Sequence, residues 1–215
     1  MTIDLPVCYR PPVTGRSGAL VVLEGISGSG KSTLSGLLAQ RLGAEVLHVI
    51  PNPLAGLIGY VNDHGGTLTQ FAFHLAGLLD GADSARRALV SGSLVADRWT
   101  GSVVVNHAAV NQLDLEVAAA QFAPYLGYLP RADLTVYLET SEKEIRHRME
   151  TRPARPATDR FLVRRPQLLP RVQELYRRFA ATDPTGIAIS TDGRSPDELT
   201  EEIHALLEVR RAQPR

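Results

Sequence analysis

Short apolar runs alternate along the chain with longer segments in which apolar residues recur every three or four positions. The runs are typical of buried strands, and the longer segments are typical of amphipathic helices. The predicted strands are 19–23, 45–50, 93–96, 134–138 and 187–190. The predicted helices are 32–42, 54–62, 67–89, 114–126, 142–152, 166–181 and 196–209. Because strands and helices alternate, we expect an α/β fold with a parallel sheet that helices cover on both faces.

The same pattern places a single domain between residues 19 and 209. Residues 1–18 are rich in proline, arginine and small side chains, which indicates an irregular arm. Residues 151–165 are rich in arginine and proline, and residues 210–215 form a basic tail. A chain of 215 residues is long enough for one domain with a sizeable core.

The first strand runs into a glycine-rich loop with the sequence GISGSGKST. The loop satisfies the pattern G-x-x-x-x-G-K-[ST], in which backbone N–H groups and the start of the next helix surround phosphate groups. The predicted phosphate contacts are Gly25, Gly28, Ser29, Gly30, Lys31, Ser32 and Thr33. Lys31 is expected to reach the β- and γ-phosphates, and the Ser32 hydroxyl is expected to hold Mg²⁺. The loop therefore predicts nucleotide binding, whereas a plain turn between strand and helix is the weaker interpretation.

The third predicted strand leads into Asp97, Arg98 and Trp99, at the edge of the sheet where ligands bind in this architecture. A carboxylate beside the phosphate loop can hold Mg²⁺ through water or take a proton from an acceptor, so Asp97 is a candidate metal-binding and catalytic residue. Arg98 is a candidate for gripping a phosphate with two parallel hydrogen bonds. The alternative is a surface ion pair, but the position after a buried strand favours the functional interpretation.

The segment 151–165 is predicted to be a lid. Its arginines are Arg152, Arg155, Arg160, Arg164 and Arg165. An arginine-rich flexible segment can neutralise the charge that develops on a phosphoryl group during its transfer, whereas a solvated basic loop is the alternative. In the helix before the lid, Arg148 is expected on the solvent side, paired with Glu144 one turn earlier.

Charge and cysteine content narrow the functional classes. Acidic and basic residues balance at 23 each, which gives no argument for binding to nucleic acid or to a membrane. No apolar run approaches the length of a membrane-spanning helix, and the first residues show no secretion signal. Cys8 is the single cysteine, which excludes an internal disulfide and is consistent with the reducing cytoplasm.

Four segments resemble the thymidylate kinase family of phosphate-loop nucleoside-monophosphate kinases, and the resemblance runs from about Leu20 to Leu207. The segments are LEGISGSGKST at the loop, LVADRW with Ser102 after it, VYLETSEKEIRHRMETR, and RPATDRF in the lid. The resemblance implies a three-layer fold with five parallel strands, ATP and Mg²⁺ as cofactors, and transfer to a nucleotide 5′-phosphate. It also implies that the protein is commonly a homodimer.

The resemblance assigns roles within the lid. Some members of the family place a catalytic arginine in the phosphate loop, and others place it in the lid. Ser27 and Ser29 show that this loop has no arginine, so Arg155 is the candidate for that role. Arg152 and Arg160 are the neighbouring candidates for contacts with ATP.

The positions that recognise the acceptor depart from the family pattern. Ser27 stands where the family usually has an aspartate, and Val49 and Ile50 stand where it has an Arg-Glu pair. The arginine that follows the family's stacking phenylalanine has no counterpart near His74. Kinase chemistry is therefore a firmer expectation than dTMP as the acceptor.

Side chains for the acceptor itself are still present. Phe71 or Phe73 is the candidate for stacking on a base, since stacking tolerates different bases. Ser102 and Asn106 are the candidates for contacts with the rest of the acceptor, and Val103 cannot hydrogen-bond through its side chain. We expect looser or altered selectivity compared with a dTMP-specific enzyme.

Two other functions compete with a nucleoside-monophosphate kinase. One is a related kinase that phosphorylates a nucleoside or another small molecule in secondary metabolism. The other is a GTP-driven switch, because residues 63–66 and 111–114 are similar to two GTPase motifs. Residues 63–66 lack a convincing strand before them, and Gln112 stands where a lysine would be expected, so coincidence is the better interpretation.

Overall fold

A five-stranded parallel sheet lies at the centre of the computed structural model, which describes residues 15–151 and 165–212 together with Pro11. The strands are β1 (Leu20–Gly25), β2 (Glu45–His48), β3 (Leu94–Asp97), β4 (Leu134–Glu139) and β5 (Gly186–Ser190). Their order across the sheet is β2-β3-β1-β4-β5, and every neighbouring pair is parallel. The predicted α/β class and parallel sheet are thus confirmed.

Helices cover both faces of the sheet. In the described residues they are α1 (Lys31–Leu42), α2 (Asn52–Ala55), α3 (Ile58–His64), α4 (Thr67–Ser91), α5 (Thr100–Val110), α6 (Leu115–Phe122), α7 (Glu142–Thr151), α8 (Leu169–Thr182) and α9 (Pro196–Ala212). Short 3₁₀ turns follow α6 at Ala123–Tyr128 and precede α8 at Pro166–Leu168. No described helix is both long and apolar enough to cross a bilayer.

The alternation of side chains along β1 builds two separate cores. Leu20 and Val22 face a core formed with α4, α5, α6 and α8. Val21 and Leu23 face the opposite core, which α1 and α9 cover. Since both faces are buried, the strand reads as a continuous apolar run, as parallel strands do. The phosphate loop therefore starts from a strand whose residues are all buried.

Several boundaries differ from the sequence prediction. The predicted helix 54–62 is two short helices, α2 and α3, with a break at Gly56 and Leu57. The second strand ends at His48 rather than at residue 50. The helix predicted from residue 166 begins with a 3₁₀ turn, and α9 extends into the predicted basic tail as far as Ala212.

The sequence pattern gave no indication of helix α5. Its centre is Val103–Val105, and β-branched residues lower helix propensity because their side chains lose freedom in a helix. Most of its residues are buried, including the polar residues Ser102 and His107, and Asn106 is its one exposed residue, so no polar face marks a helical period. Packing against the helices α4, α6 and α8 and the strand β1, rather than local preference, stabilises this helix.

Candidate active site

The phosphate loop connects the end of β1 to the start of α1. Gly25 has a φ of +138°, and a Cβ at this position would lie 2.9 Å from the carbonyl oxygen of Leu138 on β4. Gly30 has a φ of +100° immediately before α1 begins at Lys31. Both positions require glycine, because other residues rarely adopt this backbone conformation. The predicted glycine-rich loop is present in the structure, and it leads directly into the N-terminus of α1.

Lys31 folds back over the loop. Its side chain is almost fully buried, and its ammonium group donates hydrogen bonds to the carbonyl oxygens of Gly25 at 2.8 Å and Ile26 at 2.7 Å. The charged group is thus held within the turn that the sequence assigns to phosphate binding. Such a fixed cation is suited to stabilising negative charge on a phosphate.

Asp97 lies beside the loop at the end of β3. The Ser32 hydroxyl donates a hydrogen bond of 2.8 Å to Oδ2 of Asp97, and Nδ1 of His48 lies 3.5 Å from the same oxygen. His48 is level with Asp97 because β2 and β3 pair in parallel register at these two residues. The structure therefore brings the two predicted metal-binding residues together and adds His48, which the sequence prediction missed.

The second oxygen of Asp97 fits a metal site. Oδ1 is buried and has no hydrogen-bond partner among the described residues. Burial opposes ionisation of this carboxyl, but the His48 hydrogen bond and the charges of Lys31 and Arg98 lower the pKa of Asp97 to about 2. The hydrogen bond to Asp97 also raises the pKa of His48. An ionised carboxylate next to a hydroxyl is the type of oxygen ligand set that Mg²⁺ prefers.

A buried carboxylate, Glu24, organises the start of α5. Its Oε1 accepts hydrogen bonds from the backbone N–H groups of Trp99 at 2.9 Å and Ser102 at 3.0 Å, and its Oε2 accepts one from the Ser102 hydroxyl. The Tyr176 hydroxyl on α8 lies 3.0 Å from Oγ of Ser102. Burial raises the pKa of Glu24, although the hydrogen bonds from Ser102 and the charge of Arg98 oppose that rise. Glu24 thus links β1, α5 and α8 next to the loop.

Arg98 lies between the phosphate loop and α5. Its guanidinium donates hydrogen bonds to Oγ of Ser27 at 3.1 Å and to Oγ of Ser102 at 3.3 Å. Its φ of 79° is unusual for a residue with a side chain. This left-handed turn follows Asp97 directly, and the two side chains contact different partners: Ser32 for Asp97 and Ser27 for Arg98.

A cavity of about 140 Å³ opens on the α4 and α5 side of Arg98. Its walls include the predicted acceptor contacts Phe71, Ser102 and Asn106, together with Val103. Of the two phenylalanines predicted to stack, Phe71 lines this pocket, and Phe73 is not among its lining residues. We call this cavity the acceptor pocket. Its position next to Arg98 matches the site that the sequence predicts for an acceptor.

Two histidines line the acceptor pocket. His107 on α5 has a hydrogen bond at each ring nitrogen, with Oε1 of Gln121 at 3.1 Å and Nδ2 of Asn111 at 3.3 Å. His74 on α4 makes no hydrogen bond with the described residues. Burial, with smaller contributions from His107 and Arg98, lowers the pKa of His74 to about 4. His74 is therefore neutral near pH 7.

The lowered pKa of His74 predicts that acid destabilises the fold. Between its ordinary value of about 6.5 and about 4, the unfolded chain binds a proton at this position and the folded chain does not. The stability contributed by neutral His74 is present above pH 6.5 and is lost as the pH falls towards 4. With this pKa, the expected loss of unfolding free energy from pH 7 to pH 5 is about 2 kcal/mol.

His74→Gln should reduce this part of the pH dependence, because glutamine does not titrate. Denaturant unfolding at about pH 7 and about pH 5 measures the change in the free energy of unfolding between the two pH values. The proteins compared are the wild type, His74→Gln and the control His204→Gln. Helix α9 carries His204, outside the pocket. The same pH dependence in all three proteins would contradict the prediction.

Arg148 lies closer to the loop than predicted. It does pair with Glu144, at 2.7 Å, but its guanidinium also reaches the carbonyl oxygen of Ser29 at 3.3 Å and Oγ1 of Thr191 at 3.4 Å. The expected position on the solvent side of α7 is therefore wrong. Of the predicted lid arginines, Arg165 lines the acceptor pocket. Arg152, Arg155, Arg160 and Arg164 lie outside the described residues.

The two motifs similar to GTPases do not lie where a guanine site would need them. Asp63 is within α3, and residues 111–114 follow helix α5. Neither segment follows a strand of the sheet, where nucleotide-binding motifs of this architecture lie. The structure therefore gives the interpretation as a switch no support.

The fold and this site define a phosphate-loop nucleotide kinase, with a phosphate loop, an adjacent carboxylate and an acceptor pocket on one edge of the sheet. The chain is 31% identical over 214 residues to a thymidylate kinase of Leifsonia xyli subsp. xyli, covering 92% of this chain and 98% of the relative. It is 30% identical over 210 residues to a thymidylate kinase of Clavibacter sepedonicus, covering 90% and 96%. The chain belongs to the thymidylate kinase family, although no family model matches it.

Solved structures show the same fold at lower identity. Thymidylate kinase from Candida albicans, reported to have broad substrate specificity, superposes with a TM-score of 0.74 at 20% identity over 92% of this chain and 94% of the other. A deoxyadenosine kinase from M. mycoides superposes with a TM-score of 0.66 at 18% identity, over 88% and 99%. At these identities the comparison supports the architecture alone.

Proposed function

We propose that the protein transfers the γ-phosphate of ATP to the 5′-phosphate of a nucleoside monophosphate, dTMP or a relative of it. The observation that carries this proposal is the position of Arg98. Its guanidinium contacts Ser27 in the phosphate loop and Ser102 at the wall of the acceptor pocket. A phosphate bound by Arg98 inside the pocket is therefore adjacent to the loop that holds the donor phosphates.

Different side chains of the protein have different roles in the proposed phosphoryl transfer. Lys31 and the N-terminus of α1 bind negative charge on the donor phosphates. Ser32 and Asp97 would hold Mg²⁺, which neutralises charge on the phosphates when it is bound. Asp97 is ionised at neutral pH and is thus available as a metal ligand or as an acceptor for a proton. Arg155 in the lid is our candidate for stabilising the phosphoryl group during transfer.

The remaining features of the proposal come from the sequence and the family. We infer a homodimer, as is common in the family, and a location in the cytoplasm. Arg152 and Arg160 are proposed as ATP contacts, and Phe71 is proposed to stack on the acceptor's ring. Nucleic acid and membranes are not proposed as partners.

An acceptor panel tests the proposed function. Formation of ADP with ATP and Mg²⁺ is measured for dTMP, dUMP, dCMP, UMP, dGMP, AMP and the matching nucleosides. Turnover that requires a monophosphate supports the proposal. Turnover with nucleosides alone would replace the proposal with the nucleoside-kinase alternative. Tight retention of GDP, with no turnover of any acceptor, would support a GTP-driven switch.

Two substitutions of Arg98 distinguish the effect of its side chain on acceptor binding from the effect of its backbone conformation on stability. Both Arg98→Ala and Arg98→Gly should raise KM for the monophosphate at least about tenfold, because a charge-assisted contact with phosphate is lost. ATP affinity should change little. The glycine variant should be more stable than the alanine variant by about 1 kcal/mol, because a φ of 79° favours glycine.

Steady-state kinetics with each substrate varied, and thermal unfolding of both variants, measure these effects. A loss of ATP affinity with an unchanged KM for the acceptor would show that Arg98 belongs to the donor site. Equal stability of the two variants would show that the left-handed backbone is not strained.

A further inference from the structure

His74 differs from the other histidine of the acceptor pocket in what its ring contacts. The ring nitrogens of His107 lie next to an amide oxygen of Gln121 and an amide nitrogen of Asn111. These two partners fix His107 with a proton on Nε2 and a lone pair on Nδ1. His74 lines the same pocket, and no hydrogen bond from the described residues fixes its tautomer.

Burial keeps the ring of His74 neutral, because it lowers the pKa of the imidazole, and the neighbouring His107 and Arg98 lower it further. The other described residues of the pocket that can carry charge are His107, Arg98 and Arg165, and none of them can become an anion. None of the described residues that line the pocket carries a carboxylate. A neutral imidazole has one N–H donor and one nitrogen acceptor, and the two positions can exchange.

The lining of the acceptor pocket combines two kinds of group. Arg98 and the hydroxyls of Ser27 and Ser102, which it contacts, suit a phosphate. Phe71 and His74 on α4 and the amide of Asn106 on α5 are uncharged and suit a heteroaromatic ring. An acceptor whose phosphate contacts Arg98 can therefore place an uncharged heteroaromatic ring against the wall of α4.

We propose that His74 is a specificity-determining residue that hydrogen-bonds the ring edge of the acceptor's base and admits both oxo- and amino-substituted pyrimidines. The inference rests on the proposed function, since it assumes a nucleoside monophosphate in this pocket. A ring carbonyl, as in thymine, needs a donor opposite it, and an exocyclic amino group, as in cytosine, needs an acceptor. His74 supplies either one by changing tautomer.

Substitutions of His74 can distinguish its role as a hydrogen-bond donor from its role as a hydrogen-bond acceptor. Arginine offers donors only, glutamine offers both a donor and an acceptor, and leucine offers neither. His74→Arg should thus favour dTMP over dCMP, His74→Gln should retain both ligands, and His74→Leu should weaken both. His204→Gln on α9 is the control, because it changes a histidine that does not line the pocket.

Dissociation constants for dTMP and dCMP by isothermal titration calorimetry measure the effect, with thermal unfolding as a check on folding. We expect the two constants to agree within about tenfold in the wild type and in His74→Gln. In His74→Arg the ratio should shift towards dTMP by about tenfold or more, and in His74→Leu both ligands should bind at least about tenfold more weakly.

Three results would overturn the inference. One is an unchanged ratio in a folded His74→Arg variant, the second is wild-type affinity for both ligands in His74→Leu, and the third is failure of the wild type to bind either monophosphate. If His74→Arg fails to fold, His74→Leu decides alone. Turnover with ATP judges the proposed function separately: binding that depends on His74 without phosphoryl transfer would leave the inference standing and remove the kinase assignment.

Discussion

Lys31→Met is expected to lower kcat/KM for phosphoryl transfer by about 10²–10³-fold, which is typical of removing a preorganised charge from a transition state. Methionine retains most of the buried stem of the side chain but has no ammonium group. The ammonium donates hydrogen bonds to the carbonyl oxygens of Gly25 and Ile26, so its loss should also lower the stability of the loop. Hydrogen bonds from charged groups contribute about 1.5–3 kcal/mol each, so a clear decrease in Tm is expected.

The chain provides a matched control, because Lys143 on α7 is its only other lysine. Lys143→Met should retain wild-type turnover and Tm. Turnover by a coupled ADP assay and Tm by calorimetry are measured for both variants. Near-normal turnover in a folded Lys31→Met protein would show that the loop does not hold the transferred phosphate in the proposed way.

Asp97→Asn is expected to lower kcat by about a hundredfold and to raise the Mg²⁺ concentration needed for half-maximal rate. The amide keeps the size of the side chain but replaces one carboxylate oxygen with an NH₂ group and removes the negative charge. Asp97 Oδ1 is buried without a partner among the described residues, and Ser32 contacts Oδ2, so neither oxygen is replaced without loss. ATP affinity should fall less than kcat.

Asp80→Asn serves as the control, because Asp80 is an exposed carboxylate on α4. Rates are measured against Mg²⁺ concentration at saturating ATP and acceptor, and ATP binding is measured separately. An unchanged Mg²⁺ dependence in Asp97→Asn, with a normal kcat, would remove Asp97 from the metal site.

The parts of this site that the sequence predicts are those that lie close together in the chain. Residues 25–33 form one continuous motif, and Asp97 and Arg98 follow directly on a buried strand. In both places a local pattern fixes the conformation, as the positive φ of Gly25 and Gly30 shows. The parallel sheet is predictable for a similar reason, because alternating elements leave few other topologies.

The remaining parts depend on contacts between distant residues. His48 reaches Asp97 only because β2 and β3 pair in one particular register, and register is not readable from either strand alone. Tyr176 meets Ser102 across the packing of α8 on α5. Glu24 could have been identified from the sequence, since it is a lone charged residue at the end of an apolar strand. The predicted solvent-side position of Arg148 is wrong, because an i,i+4 pair with Glu144 does not show whether that face of the helix points to solvent or to the rest of the protein.

The left-handed turn at Arg98 separates what can vary in this enzyme from what must stay. Asp97, which we propose as a group for phosphoryl transfer, lies on the central strand β3, next to β1. The carboxylate of Glu24 on β1 holds the start of α5. The side chains proposed to meet the acceptor's ring lie on helices α4 and α5, among them His74 and Asn106. With the proposed function, new acceptors would be reached through side-chain exchange on these two helices, without rebuilding the strands β1 and β3. Laboratory evolution of acceptor range would therefore sample pocket positions on α4 and α5.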